Sequence, residues 1–201
     1  QHPFRRFWRR FHLTKILLII GLGFSLLTGG YLFYLAKTTN VKDLQNALKA
    51  TTIIYDKNGD QAGSLTGQKG TYVELDAISE NLQNAVVATE DRSFYKNSGI
   101  NYGRFFLAIL TLGRSGGGST ITQQLAKNAY LSQDQTVERK AKEFFLALEI
   151  NKKYSKKEIL TMYLNNAYFG NGVWGIEDAS KKYFGVSASQ LSLDQSAVLA
   201  G

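Results

Sequence analysis

The chain contains no cysteine and only two histidines, and these two scarcities exclude several kinds of chemistry. Without cysteine there is no disulfide framework and no thiolate nucleophile. The histidines, His2 and His12, both lie in the first twelve residues. A histidine-dependent catalytic dyad or zinc site is therefore excluded from the domain that follows the N-terminal segment, and acid–base chemistry there must use carboxylates, lysine or tyrosine.

Charge is absent from one long stretch of the chain. No residue from Ile16 to Ala36 is charged, and Lys15 and Lys37 close the run. As a helix these 21 residues would be about 31 Å long, close to the roughly 30 Å hydrocarbon thickness of a bilayer. A cleaved signal peptide would usually have a shorter apolar core and a small-residue cleavage site, which Leu35-Ala36-Lys37 does not provide. We therefore expect a single-pass transmembrane anchor at 16–36.

The basic residues are concentrated before this apolar run. Five of the net eight positive charges precede it, interleaved with aromatic residues. Because cationic residues stay in the cytoplasm, we expect 1–15 to be a cytoplasmic basic tail and the chain after Lys37 to be extracytoplasmic. The lysines of 152–157 suit a solvated turn or a contact with anionic lipid equally well. We expect membrane lipids as partners and no nucleic acid, which would need a concentrated basic face.

After the anchor the pattern becomes mostly helical. Residues 37–74 are predicted to be a linker with a small β element, in which β-prone runs at Thr51–Tyr55 and Thr71–Leu75 flank an Asn58-Gly59 turn signal. From Ser79 onward helical spacing dominates, and a last helix is predicted near Leu193. Capping residues predict helix starts at Ser79, Thr120, Thr136 and Ser155. Two of these form capping boxes, Thr120 with Gln123 and Ser155 with Glu158.

The segment Gly116–Asn128 combines a glycine run with the start of a helix. Thr120, Gln124 and Lys127 share one face of that helix at helical spacing. A helix N-terminus offers unpaired N–H groups and a positive dipole end, where a phosphate can bind. A capped surface helix with solvated amides explains the same residues equally well. The sequence therefore leaves an anion site and a plain surface helix open here.

The segment Phe105–Gly113 is apolar on all sides, flanked by Arg104 and Arg114, and too short to cross a bilayer. In a cytosolic protein it would be a buried core helix. In an anchored protein a basic-flanked apolar segment can dip into the outer leaflet. The glycine run would then lie at the lipid surface, where a phosphate would belong to a lipid-linked substrate.

Two glutamates are candidates for acid–base work. Glu90 ends an apolar helix beside Asp91 and close to an aromatic residue, surroundings that suit a general base. An ordinary helix-end carboxylate paired with Arg92 is the alternative. Glu143 follows Arg139 by four residues, which favours a surface ion pair. Neither glutamate alone identifies an enzyme.

Several sequence blocks, in order, resemble the motifs of the family 51 peptidoglycan glycosyltransferases. This family forms the glycan-polymerising modules of class A penicillin-binding proteins and the monofunctional transglycosylases. The resemblance covers about 73–201 together with the preceding anchor. The blocks are ATEDRSFY (88–95), GGSTITQQLAKN (117–128), RKAKEFFLALEI (139–150), KKEILTMYLNNAYFGNGVWGI (156–176) and the closing LSLDQSAVLAG.

The resemblance implies a mainly α, lysozyme-like glycosyltransferase domain at 75–201, C-terminally truncated, with a small β element and one transmembrane helix before it. The implied activity is polymerisation of lipid II into glycan strands, with inversion at the anomeric carbon and release of lipid pyrophosphate. Lipid II and the lipid-linked glycan chain are the implied partners, together with other cell-wall synthesis proteins.

The resemblance also assigns residues to roles. Glu90 matches the general base, and Glu143 matches a second glutamate that assists the leaving pyrophosphate, directly or through a divalent metal such as Mg²⁺ or Mn²⁺. No organic cofactor is implied. Many members carry histidine where this chain has Asn97, so that position receives no role. The residues that match substrate-binding positions are Asp91, Phe94, Thr120, Gln124, Lys127, Asn128 and Arg139.

Two other functions are compatible with parts of the pattern. A lysozyme-like or lytic enzyme would cleave glycan with one acidic residue on a similar fold. A membrane-anchored scaffold of the cell-wall machinery would need neither glutamate. The chain begins without methionine and ends inside an apolar run, so we expect a fragment of a longer protein. The sequence leaves a monofunctional enzyme and a bifunctional one with a C-terminal transpeptidase open, and the β-prone segment 51–75 and the abrupt end favour the bifunctional type.

Overall fold

The computed structural model describes residues 13–38, 51–66, 70–110, 118–131 and 136–201. The predictions for the basic tail, for the linker at 39–50 and for the first glycines of the glycine run lie outside these residues. The chain divides into two units, residues 1–39 and 40–201, and each is described by itself.

The first unit contributes a long apolar helix, α1, over Leu13–Thr38. Its segment Thr14–Leu35 has a mean hydropathy of 2.1 and is long and apolar enough to cross a membrane. Most of its apolar side chains are exposed, as Leu18 at 72 % and Leu27 at 77 % illustrate, and Leu35 near its end is buried. A helix without a polar face is suited to lipid surroundings, so α1 has the length and composition expected of the anchor.

The second unit begins with an antiparallel hairpin of strands β1 (Thr51–Tyr55) and β2 (Gln61–Thr66). The carboxylate of Asp56 organises the turn, since its Oδ1 accepts the N–H of Asn58 at 2.8 Å. Gly59 has a φ of +85°, a conformation that glycine adopts without strain. The predicted turn at Asn58-Gly59 is therefore confirmed, and so is the small β element.

The prediction of a β-strand at Thr71–Leu75 is wrong. That segment pairs with no strand among the described residues, and a short 3-10 helix, Leu75–Ala77, begins in it. The side-chain amide of Asn165 accepts the N–H of Val73 and donates to its carbonyl, both at 2.8 Å. Because a side chain satisfies this β-prone backbone, no neighbouring strand is needed.

From residue 80 the second unit is helical, and every predicted helix start is confirmed. Each capping side chain accepts a hydrogen bond from a backbone N–H of the first turn, and both predicted capping boxes are closed. A second 3-10 helix lies at Ala188–Gln190. The helices are α2 (Glu80–Glu90), α3 (Tyr102–Leu110), α4 (Ile121–Tyr130), α5 (Val137–Lys153), α6 (Lys156–Asn166), α7 (Ile176–Phe184) and α8 (Leu193–Ala200).

The central helix of the second unit is α6. All seven residues from Ile159 to Asn165 are buried, which requires that other elements cover the helix on every side. Helix α4 packs against both α5 and α6, and α8 packs against α2. Large apolar side chains fill the space between these helices, among them Leu82, Phe94, Ile121, Leu125, Ile150 and Met162. The mainly α fold with a small β element is thus confirmed.

We predict that Asn165→Ala lowers the free energy of unfolding by about 2 kcal/mol, because two backbone groups of Val73 lose their partner. Urea unfolding of the purified protein in detergent, followed by circular dichroism, measures the change. Asn84→Ala on the exposed side of α2 is the matched control and should change stability by less than about 0.5 kcal/mol. Equal losses in the two variants would contradict the role given to Asn165.

Candidate active site

Glu90 lies where α2 ends and a cleft begins. The backbone leaves the helical conformation at Asp91, whose φ is −152° and ψ 81°. The cleft has a volume of about 610 Å³. A partly exposed carboxylate in such a cleft is placed to exchange a proton with a ligand. Aromatic side chains line the same cleft: Tyr163, Tyr168, Phe169, Tyr183 and Phe184.

One oxygen of Glu90 is held by the neighbouring helices. The Nε2 of Gln124, on α4, donates to Glu90 Oε2 at 2.5 Å. The hydroxyl of Tyr163, on α6, donates to Gln124 Oε1 at 3.2 Å. The alternative pair with Arg92 is not formed, since Arg92 Nε donates to the carbonyl of Ala88 at 3.0 Å. Glu90 Oε1 accepts no hydrogen bond from the described residues.

Asp91 has surroundings unlike those of Glu90. It is only 1 % exposed and does not line the cleft. Its carboxylate accepts the Ser93 hydroxyl at 2.9 Å, and the Nδ2 of Asn97 donates to its two oxygens at 3.1 and 2.9 Å. Asp91 therefore closes the turn that follows α2.

Asn97, which the sequence left without a role, links this turn to α6. Its Oδ1 accepts Lys156 Nζ at 3.0 Å and the N–H of Gly99 at 3.0 Å. Burial lowers the pKa of Lys156, and the Asp91 carboxylate opposes that shift. The ammonium also lies 4.7 Å from the centroid of the Phe94 ring, a cation–π contact. Phe94 itself is fully buried, so this predicted site residue packs in the core under the turn and does not reach the cleft.

Thr120 fixes the N-terminus of α4. It is 1 % exposed, its Oγ1 donates to the carbonyl of Gly99 at 2.6 Å, and the same oxygen accepts the N–H of Gln123 at 3.1 Å. Lys127 and Asn128 lie partly buried one turn beyond Gln124. The glycines at 116–117 lie outside the described residues, so the anion site that they would open stays a prediction.

Glu143 is buried on α5, with 1 % exposure. Its Oε1 lies 2.5 Å from Lys140 Nζ, which also donates to the Ser119 hydroxyl at 2.8 Å. The surface ion pair with Arg139 that the spacing favours is not formed. Lys140 instead links the second glutamate to the residue that precedes the N-cap of α4.

The site residues therefore fall into two groups beside the first turns of α4. Glu90, Gln124 and Tyr163 form one hydrogen-bonded row. The second group consists of Ser119, Lys140 and Glu143. Sequence reasoning missed Lys140 and Tyr163 as site residues. The short spacing from Lys140 to Glu143 was a readable signal, whereas Tyr163 reaches Gln124 across 39 residues.

The residues near Glu143 do not fit a divalent metal. No group of three Asp, Glu or His side chains suited to a cation occurs in the described part of the chain. One oxygen of Glu143 already pairs with the Lys140 ammonium. A hard cation needs several oxygen ligands, and an adjacent ammonium repels it. We therefore assign no step of the reaction to a metal.

Comparison with known proteins agrees with this architecture. The family model described as transglycosylase matches residues 58–201. The chain therefore belongs to the transglycosylase family, and it contains a peptidoglycan glycosyltransferase domain of lysozyme-like helical fold. The resemblance drawn from the sequence blocks is confirmed.

Curated relatives cover nearly the whole chain. Penicillin-binding protein 2a of Streptococcus pneumoniae strain D39 is 79 % identical over 199 residues, which are 99 % of this chain and 27 % of that protein. Penicillin-binding protein 1A of Aquifex aeolicus is 41 % identical over 90 % of this chain and 26 % of its own length. Penicillin-binding protein 1A/1B of Bacillus subtilis is 38 % identical over 94 % of this chain and 21 % of its own length. The chain thus spans about a quarter of the length of these relatives.

We predict that Lys140→Met lowers the free energy of unfolding by about 1 to 2 kcal/mol, because buried Glu143 loses its partner; the half-exposed Lys140 side chain limits the loss. Lys142→Met is the matched control on the same helix. It removes a pair with Glu138, whose side chain is 52 % exposed, and such pairs contribute less than about 1 kcal/mol. Thermal unfolding of both variants compares them, and a larger loss in Lys142→Met would be inconsistent with a buried Glu143 pair.

Proposed function

We propose that this chain polymerises lipid II into glycan strands, and that Glu90 is the general base. The observation that carries the proposal is the Glu90 carboxylate, which Gln124 holds at one oxygen while the other stays available in the cleft. A base needs such an accessible oxygen, and the chain has no histidine after His12 that would serve instead. The transglycosylase match and the names of the relatives support the substrate class.

In the proposed reaction, Glu90 Oε1 takes the proton of the 4-hydroxyl of the acceptor sugar of lipid II. The acceptor oxygen bonds to the anomeric carbon of the growing chain while the bond from that carbon to pyrophosphate breaks. The bonding electrons leave with the lipid pyrophosphate, and the configuration at the anomeric carbon inverts. No covalent enzyme intermediate is needed, because pyrophosphate is already a good leaving group.

The leaving pyrophosphate would be bound on the α4–α5 side by Lys127, Asn128 and Arg139. The Nε of Arg139 is buried and has no hydrogen-bond partner in the described part of the chain. Such a donor is costly unless a ligand supplies an acceptor, and a phosphate oxygen does so. Cationic groups at this position stabilise the negative charge that develops as the bond breaks. In this proposal Glu143 assists indirectly, by orienting the Lys140 ammonium.

In this proposal Asp91, Phe94 and Thr120 contribute to substrate binding indirectly, by holding other site residues in place. Their described contacts are with protein groups, and all three are almost fully buried. They fix the turn after α2 and the first turn of α4, which carry Glu90 and Gln124. The proposed catalytic domain comprises 75–201, with the linker and β element before it.

We further propose that α1 crosses the bacterial cell membrane with the N-terminus in the cytoplasm. The positive charges before the apolar segment support this orientation. On α3, Phe106 is 61 % and Leu107 is 50 % exposed, which supports a contact with the outer leaflet instead of a buried core helix. Lipid-linked substrates would reach the domain from that surface, and other cell-wall synthesis proteins would act beside it.

We predict that Glu90→Gln lowers the rate of lipid II polymerisation about 100-fold or more, since the amide cannot accept the proton. Purified protein in detergent is supplied with radiolabelled lipid II and Mg²⁺, and the strands are separated by gel electrophoresis. Glu80→Gln, at the exposed start of α2, is the control and should retain full activity. Full polymerisation by a folded Glu90→Gln variant would refute the assignment, and cleavage of finished peptidoglycan without polymerisation would favour a lytic enzyme.

A single-cysteine labelling experiment tests the orientation in the membrane. Because the chain lacks cysteine, each label reports only the introduced residue. We predict that a membrane-impermeant maleimide labels Ser189→Cys, which is exposed in the second unit, on intact protoplasts. His2→Cys should be labelled only after the cells are lysed. The reverse pattern would show that the N-terminus lies outside.

A further inference from the structure

We propose that Tyr163 is a positioning residue that determines which oxygen of Glu90 acts as the base. Tyr163 sets the direction of the Gln124 amide, and this amide occupies Glu90 Oε2. Glu90 Oε1 is then the oxygen that accepts the proton. The inference rests on the proposed glycosyltransferase function and adds to it a residue that acts through Gln124.

The direction of the amide follows from the chemistry of its two neighbours. The two ends of a glutamine amide are similar in size, so the side chain can face its neighbours either way round. An ionised carboxylate only accepts hydrogen bonds, so the end that lies 2.5 Å from Glu90 Oε2 must be the Nε2 donor. The carbonyl end of Gln124 then lies 3.2 Å from the Tyr163 hydroxyl, which must donate. Each bond of the row therefore fixes the direction of the next.

Tyr163 is well placed to act as a permanent donor. It is 8 % exposed and lies between the fully buried Met162 and Leu164 on the central helix α6. Burial, and to a lesser degree the charge of Glu90, raise the pKa of Tyr163 above its ordinary value. The hydroxyl consequently stays protonated at neutral and moderately alkaline pH. Gln124 has no other described side-chain partner. The Tyr163 hydroxyl is therefore the one described side-chain donor that holds the carbonyl end of the amide in place.

The consequence for the reaction concerns the rate more than substrate binding. With the hydroxyl in place, the amide N–H keeps Glu90 Oε2 occupied and the carboxylate plane fixed. The proton of the acceptor hydroxyl then moves to Oε1 and the acceptor oxygen bonds to the anomeric carbon, while the bond from that carbon to pyrophosphate breaks and its electrons leave with the pyrophosphate. Without the hydroxyl, the carbonyl end of Gln124 loses its donor, so the amide is held only through its bond to Glu90 and the carboxylate plane is less fixed. A protein without the Tyr163 hydroxyl would therefore still bind substrate, but its Glu90 carboxylate would be less well oriented.

The test is Tyr163→Phe, which removes the hydroxyl and keeps the ring. We expect kcat for lipid II polymerisation to fall about ten-fold, as the loss of one hydrogen bond that supports the holder of the base predicts, with KM changed less than about two-fold. Tyr154→Phe is the matched control, because Tyr154 is also 8 % exposed; its kcat should equal that of the wild type. Melting temperatures of the variants establish that both are folded.

A double-mutant cycle with Gln124→Leu shows whether Tyr163 acts through the amide. If it does, adding Tyr163→Phe to Gln124→Leu lowers kcat no further. Independent, multiplying losses would overturn the inference, as would an unchanged kcat in Tyr163→Phe. In both of those results an active wild type and an inactive Glu90→Gln variant would leave the proposed function standing. A wild type that makes no strands, or an active Glu90→Gln variant, would overturn the function and the inference together.

Discussion

The hydrogen bond from the Thr120 hydroxyl to the carbonyl of Gly99, at 2.6 Å, joins the start of α4 to the loop that follows α2. Both halves of the candidate site depend on this attachment. Gln124 lies one turn into α4 and reaches Glu90, whereas Ser119 lies just before the N-cap and accepts a hydrogen bond from Lys140. A helix start that was free to shift would move both contacts at once. The capping box with Gln123 adds to the constraint, since it satisfies two backbone groups at the same end.

The two glutamates illustrate how one side chain acquires different capacities. Glu90 meets a neutral amide and a cleft, so its charge is stabilised on one side and available on the other. Glu143 is buried against the Lys140 ammonium, so its negative charge is paired within the protein. A carboxylate in the first situation can exchange protons, and one in the second can hold a cationic group in place. In the proposed reaction this difference separates proton removal from the binding of the leaving group.

Local features were predicted well from the sequence, and long-range ones were not. Helix starts such as Thr120 and Ser155 were predicted because a capping box involves residues only three apart. The strand expected at Thr71–Leu75 failed because its partner is the side chain of Asn165, 92 residues away from Val73. The roles of Asn97 and Tyr163 depend on contacts across 59 and 39 residues, which spacing cannot reveal. The family resemblance predicted the overall fold, which is confirmed. It also singled out the two glutamates, whose roles stay predictions, but it did not reveal the hydrogen bonds that hold them.

Gly99 has a further consequence for how this protein can vary. Its φ is +95°, and a Cβ at this position would lie 2.6 Å from the carbonyl oxygen of Ala147 on α5, the helix that carries Glu143. The loop behind Glu90 thus touches the backbone of α5 directly, with no side chain between them. Any larger residue would push the loop that follows Glu90 away from the helix that carries Glu143. Substitutions around the site can therefore adjust its chemistry, whereas the spacing between this loop and α5 depends on a residue that has no side chain.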